Sequence, residues 1–330
     1  MKTITPSQRD LIDAIVTESG GSAALLEKDI HVTDVLKVLF ALRFDKCRFV
    51  FCGGTSLSKA YGVIERMSED VDLKIVMRSD HGLSRSGMKN YLRDVHKQVN
   101  QVMVRFGFEE EDAGRKVLNE YRYCASSWRY QSEYGASTAL RPHLSLEFTV
   151  RDPQFSTVSA PISYLMEKFG APPTAAVSIE CIAIEETLAE KVLSFLRRHS
   201  MHRAGEMKQD WDQALVRHIY DIYCIENFDA DISGKAGAHF SALVEFDRTE
   251  FGSHKAFADN PKACLLDALV AAEHEKQTAT EYGVQLLPLV YGQVRPDFPT
   301  AFSTFKRVSL ALLNTLGEPA DPMSSDRPAK

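Results

Sequence analysis

The 330-residue chain has no Cys-x-x-Cys pair, and its six cysteines (Cys47, Cys52, Cys124, Cys181, Cys224 and Cys264) fall at no spacing with histidine that would build a zinc site. Most sit inside apolar runs, which predicts buried free thiols and no disulfide framework. No run of some 18 apolar residues is present, so no membrane-spanning helix and no membrane partner are expected. The opening Met-Lys-Thr-Ile-Thr-Pro lacks the apolar stretch of a secretory leader, so a cytoplasmic protein is expected. Positive charge is not in excess: 39 Lys and Arg stand against 45 Asp and Glu, a net charge of −6. That argues against a broadly basic nucleic-acid coat and leaves room for a local basic groove. No internal repeat is evident. A Walker-type phosphate loop is also missing, because Gly54 to Lys59 lacks the second glycine of that motif.

What is present is ordinary in bulk and specific in one place. With 44% hydrophobic and 25% charged residues, the chain is long enough for two globular domains. The specific place is Gly53-Gly54-Thr55-Ser56-Leu57-Ser58-Lys59, after the apolar run Phe49-Val50-Phe51, and then Ser68-Glu69-Asp70-Val71-Asp72-Leu73. Adjacent glycines permit positive φ and carry no Cβ, so backbone amides can approach phosphate oxygens. A helix opening over 55–61 would add a field that favours negative charge. Ser56 and Ser58 offer hydroxyls and Lys59 a cation. Side chains alternate along a strand, so Asp70 and Asp72 project to one face. Paired carboxylates are hard oxygen ligands suited to Mg2+, with Mn2+ as a substitute, carrying the polyphosphate of an NTP.

The remaining pattern predicts an α+β chain in two lobes and a tail. Thr5-Pro6 starts one helix and Ser22 caps a second, reaching about residue 43. Strands are expected over 48–52 and 71–77, then a helix with Tyr91, Val95, Val99 and Val102 on its inner side. The aromatic and polar stretch 116–130 carries no clear period. Residues 144–150 alternate as a strand, with Ser145 and Glu147 opposite Leu144, Leu146 and Phe148. Glu147 is then either a third carboxylate of the acidic cluster or a solvent-facing residue on an amphipathic strand. A further strand is expected over 177–182. Helices follow near 188–196, 215–223, 235–248, 261–282 and 298–316. The domain division is drawn at 1–170 and 171–317, with 318–330 too rich in Pro, Ser and charge to bury anything and expected to be a disordered tail.

The stretch GGTSLSKAYGVIERMSEDVDL resembles the first motif of the AbiEii/AbiGii toxin family of nucleotidyltransferases, within the polymerase-β-like superfamily. Further similarity lies in Glu27-Lys28-Asp29 with Val32-Thr33 and Leu36. It continues in Leu188-Ala189-Glu190-Lys191-Val192-Leu193 leading to Arg197-Arg198, and in Arg217-His218-Ile219-Tyr220-Asp221-Ile222-Tyr223. His218 stands where the family often has an acid. The resemblance spans residues 20 to 315 and is most specific in its first motif.

The resemblance implies a polymerase-β-like domain, with a small mixed sheet flanked by helices, and a C-terminal helical lobe completing the NTP site. It implies a Mg2+-dependent toxin of a bacterial toxin–antitoxin or phage-defence system, neutralised by a cognate antitoxin, that moves NMP from NTP to the 3′ end of tRNA and so blocks translation. It assigns Asp70, Asp72 and Glu147 to metal, Lys191 to phosphate, and Asp221 to orienting Lys191 or the nucleotide. Gly53, Gly54, Thr55, Ser56, Ser58 and Lys59 then line the nucleotide. An ion pair of Asp221 with Arg217, four residues away on one helix, is the plainer reading of that acid. The basic run Arg197, Arg198, His199, His202, Arg203 and Lys208 is either a solvated helix end or an RNA backbone contact. The residues alone leave open transfer to a protein hydroxyl, AMPylase-like or kinase-like, including Ser56 or Ser58 themselves. They also leave open a degenerate nucleotide-binding module without activity. They carry no signal for the preferred NTP or the oligomeric state.

Overall fold

The computed structural model describes residues 1–135, 140–207 and 210–317. The expected tail and Lys208 lie outside the described residues. The chain divides into two compact units. One is Met1–Thr187 with Leu287–Arg295, and the other is Leu188–Leu286 with the chain from Pro296 onward.

The first unit opens with two capped helices. Thr5 and Gln8 form a reciprocal capping box at the start of α1 (Pro6–Ser19), with Pro6 in the first turn. Ser22 caps α2 (Ala23–Ala41). Helix α2 is buried on almost every side, charged residues included, because each charge finds a partner. Glu27 accepts from Ser132 Oγ at 2.6 Å and from the Glu133 N–H at 2.8 Å. Lys28 and Asp29 pair with Glu69 and Lys59 at 2.8 and 2.7 Å.

The sheet follows. Its strands are β1 (Cys47–Cys52), β2 (Asp70–Met77), β3 (Glu109–Leu118), β4 (Tyr123–Arg129), β5 (His143–Val150), β6 (Val158–Ile162) and β7 (Val177–Cys181). Helices α3 (Gly53–Lys59) and α4 (Arg85–Arg105) interrupt the series. The spatial order is β3-β4-β5-β2-β1-β7-β6. The β2/β5 and β1/β7 pairs are parallel and the others antiparallel, which makes the sheet mixed. The stretch without a clear period becomes the β3–β4 hairpin. Edge strand β6 tolerates Pro161, whose missing N–H the ladder does not need there.

One face of the sheet carries Phe49, Phe51, Val71, Leu73, Ile75, Leu144, Leu146 and Phe148 into a core shared with Ile30, Leu36, Leu92, Val99 and Trp128. Each fully buried side chain of this kind contributes ~1.5–3 kcal/mol. Alternation turns Asp70, Asp72, Lys74, Ser145 and Glu147 to the opposite face.

Helix α5 (Ile184–Arg203) contains the boundary between the units. The second unit continues with α6 (Arg217–Phe228), α7 (Ile232–Glu250), α8 (Lys255–Asp259), α9 (Pro261–His274), α10 (Lys276–Glu281) and α11 (Phe298–Asn314). Leu188, Phe195, Ile219, Phe240, Leu265, Phe305 and Leu312 are buried in it. The single helix expected over 261–282 is broken at Glu275. That residue takes an extended backbone and places its carboxylate 2.9 Å from His199 Nε2.

None of the six cysteines is in a disulfide; five are buried and Cys52 is half-buried. No helix among the described residues is long and apolar enough to cross a membrane.

Candidate active site

Strand β1 ends at Cys52 and the chain turns directly into α3, so the helix starts at Gly53, two residues earlier than the sequence suggests. Gly53 has φ +76, a conformation that side chains disfavour, and a Cβ there would overlap Asp72 Oδ2 and lie 2.9 Å from its Cγ. The missing side chain is what lets the Asp72 carboxylate lie against the backbone at the head of α3. Gly54, Thr55 and Ser56 are buried. The Thr55 hydroxyl lies 2.9 Å from Ser68 Oγ and hydrogen-bonds the Asp70 carbonyl, tying α3 to the start of β2. Ser56 and Ser58 donate back to the carbonyls of Gly53 and Thr55, at 2.9 and 3.1 Å.

The acids come together across the sheet. Register places Cys52 beside Asp72 on one side and Glu147 beside Asp72 on the other, with Asp70 beside Ser145. Glu147 is therefore the neighbour of Asp72 on the polar face. Tyr123 of β4 donates its hydroxyl to Glu147 Oε2 at 3.0 Å. Lys74, two residues beyond Asp72 on the same face, is held by Glu186 at 2.6 Å. Glu186 Oε2 also accepts the N–H groups of Gln154 and Phe155.

Asp70 has a partner that no motif announced. Arg141 Nη1 donates to Asp70 Oδ1 at 2.6 Å, and Nη2 approaches Oδ2 at 3.4 Å. Behind this pair lies a buried anchor. Lys28 Nζ donates to Glu69 Oε2 at 2.8 Å and to the carbonyls of Arg141 and His143 at 2.6 and 2.7 Å. The Arg141 N–H donates to the same Glu69 oxygen at 2.7 Å. Burial lowers the Lys28 pKa, against the opposing pull of Glu69. Neither Glu69 nor Leu140-Arg141-Pro142 stands in a sequence pattern that marks this contact.

The donor set of Asp70, Asp72 and Glu147 is all carboxylate oxygen, the chemistry that Mg2+ prefers. Among the described residues, no three such side chains converge on one ion position as they stand. Asp70 is turned to Arg141 instead.

Lys59 is engaged elsewhere. Its ammonium donates to both oxygens of Asp29, at 2.7 and 2.9 Å, and to the Ser163 carbonyl at 2.6 Å, which uses its three N–H bonds. Burial lowers its pKa. In this arrangement Lys59 is a strut between α3 and α2 and has no donor left over for a phosphate.

In the second unit, Lys191 Nζ pairs with Asp221 Oδ2 at 2.7 Å, and both side chains are buried. Asp221 thus meets Lys191 across α5 and α6. His218 Nδ1 lies 3.2 Å from the Lys191 carbonyl. The described part of the basic run is solvated only in part. Arg197 is buried, bound to Asp247 at 3.0 Å and stacked 3.5 Å from the Phe251 ring centroid. Neither reading of the run, a solvated helix end or an RNA backbone contact, describes Arg197 where it lies, because the apolar interior of the helical unit takes in its stem and Asp247 neutralises its head. Arg198 pairs with Asp212 at 3.1 Å and Arg203 with Glu275 at 3.5 Å, both partly exposed.

Residues 34–304 match the model of the AbiEii family, described as nucleotidyl transferase AbiEii toxin, type IV toxin–antitoxin system. The chain belongs to this family and is a nucleotidyltransferase. Among solved structures it matches MenT4, a nucleotidyltransferase toxin from Mycobacterium tuberculosis H37Rv, with 18% identity over 94% of this chain and 90% of that one and a TM-score of 0.48. No curated protein matches the sequence.

Proposed function

We propose that this chain is a cytoplasmic toxin that transfers NMP from an NTP to an RNA acceptor, the 3′ end of tRNA, so that translation stops until a cognate antitoxin neutralises it, and that it serves in phage defence. What supports the reading most is one juxtaposition: Asp72 lies against Gly53, with Glu147 in register beside it and Asp70 two residues away on the same face.

In this reading Asp70, Asp72 and Glu147 would hold Mg2+, or Mn2+ in its place. When bound, the ion offsets charge on the phosphoryl group during transfer. The backbone amides at Gly53 and Gly54 are proposed to meet phosphate oxygens. Glu147, oriented by the Tyr123 hydroxyl, is the carboxylate proposed to take the proton from the attacking hydroxyl. That hydroxyl attacks the α-phosphorus, and pyrophosphate leaves. Lys191 and Asp221 are proposed to contribute to nucleotide binding, and Arg198 and Arg203 to RNA affinity.

The experiment is transfer from α- and γ-labelled NTPs to total RNA, with sequencing of modified ends and Asp72→Asn as control. Label from the α position on tRNA 3′ ends, lost in Asp72→Asn while the thermal transition is kept, supports the reading. Label on the protein, or an Asp72→Asn variant that transfers at the wild-type rate, overturns it.

A further inference from the structure

Arg141 holds a position that a purely structural residue does not need. Its backbone is pinned on both sides by the buried Lys28–Glu69 pair: the N–H goes to Glu69, and the carbonyl accepts from Lys28. Both side chains of that pair are almost wholly excluded from solvent, at 0% and 1% exposure. The Arg141 side chain is different. It is 40% exposed, and it lies fork-on against Asp70, itself 31% exposed, with Nη1 also 3.5 Å from Ser145 Oγ. A fixed backbone thus carries a solvent-side guanidinium into the acidic face.

The geometry points to Arg141 as a two-position residue: it covers Asp70 while nucleotide is absent and moves to the triphosphate when the NTP–metal complex enters. This rests on the proposed nucleotide site. The guanidinium spans both Asp70 oxygens, the group a divalent ion would use, so the two cations compete for one carboxylate. A guanidinium fork matches phosphate as well as carboxylate, so a displaced Arg141 finds a new bidentate anion on the substrate. Metal and nucleotide then bind with positive coupling, because the nucleotide takes up the cation that obstructs the metal. No bond is made or broken in this exchange. It sets which anion Arg141 neutralises.

The test reads binding as well as turnover. Mn2+ binding to the full chain is measured by loss of the free-ion spin-resonance signal, without nucleotide, for the wild type, Arg141→Gln, Arg141→Lys and Asp72→Asn. NTP half-saturation is measured on the Mn2+-loaded forms. Arg141→Gln is expected to bind Mn2+ about fivefold more tightly and to need about tenfold more NTP, opposite signs that loss of packing alone does not produce. Arg141→Lys keeps the charge and loses the fork, so Mn2+ affinity stays near wild type while the NTP requirement rises. Unchanged or weaker Mn2+ binding in Arg141→Gln, with the Asp72→Asn effect intact, overturns the role of Arg141 alone. Mn2+ binding that Asp72→Asn does not weaken overturns the acidic site itself. Should Arg141→Gln fail to fold, an Arg141→Lys form with wild-type NTP half-saturation overturns the proposal.

Discussion

Gly53 stands where any side chain would collide with the carboxylate of Asp72, so the turn and the acid occupy one space between them. Gly53→Ala meets two obstacles, the positive φ and the overlap. A non-glycine residue in this conformation costs about 1–2 kcal/mol, and the overlap must push Asp72 away. The expected outcome is a destabilised protein whose nucleotidyl transfer falls by about a hundredfold or more, a scale set by small displacements of reacting groups. Thermal unfolding and single-turnover transfer measure both, and full activity in Gly53→Ala would show that Asp72 need not lie there.

The Lys28–Glu69 pair is completely enclosed, and its two charges also fasten the backbone at Arg141 and His143. Glu69→Gln leaves Lys28 without its counter-charge. Breaking one partner of such a buried pair costs about 3–5 kcal/mol. Urea unfolding of Glu69→Gln, with Lys28→Met/Glu69→Leu as companion, reads this directly. The double variant should recover part of the loss, and equal losses in both would argue against an unpaired charge as the cause.

Lys191 and Asp221 form the corresponding pair in the helical unit. Asp221→Asn should destabilise by a comparable ~3 kcal/mol or more. A cycle with Lys191→Met gives the coupling between them. A coupling below about 0.5 kcal/mol would mean that the buried contact is not what holds these helices together.

His31 is fully buried against Tyr130 and Phe108, and neither ring nitrogen has a hydrogen-bond partner among the described residues. Burial lowers its pKa to about 4, and burial does the same to His96. An unfolded histidine titrates near 6.5. Between those values the unfolded chain binds protons that the folded chain refuses, so stability is complete above pH ~6.5 and is lost as pH falls toward ~4. At pH 5 the loss is about 2 kcal/mol per ring. Replacing the ring by an apolar one of similar shape removes that proton uptake without leaving a bare nitrogen. His31→Phe should therefore lose less stability than wild type between pH 7 and pH 5, as urea midpoints would show. Equal losses would remove His31 as the source.

Much of the first unit was legible because its signals are local. Thr5 and Ser22 cap the helices that follow, since a hydroxyl at that position needs only its own next turn. The alternation of Leu144, Leu146 and Phe148 needs only the pleat. The contact of Lys59 with Asp29 was not legible, because a lysine beside a glycine turn reads the same whether its ammonium meets phosphate or Asp29, and Asp29 lies on another helix. Nor was the burial of Arg197 legible: the sequence shows its charge but not the carboxylate of Asp247 that draws it inward. The hairpin of β3 and β4 went unread because its strand residues are mostly polar or exposed, which leaves little periodic contrast.

The order of residues alone determined that Gly53 opens a turn and that Asp70 and Asp72 share a face, because chain geometry over a few bonds dictates both. Only the folded sheet decided that Glu147 stands beside Asp72 and that Arg141 reaches Asp70. Those neighbours are set by strand register and by a buried ion pair, and both depend on parts of the chain that meet only when the core closes.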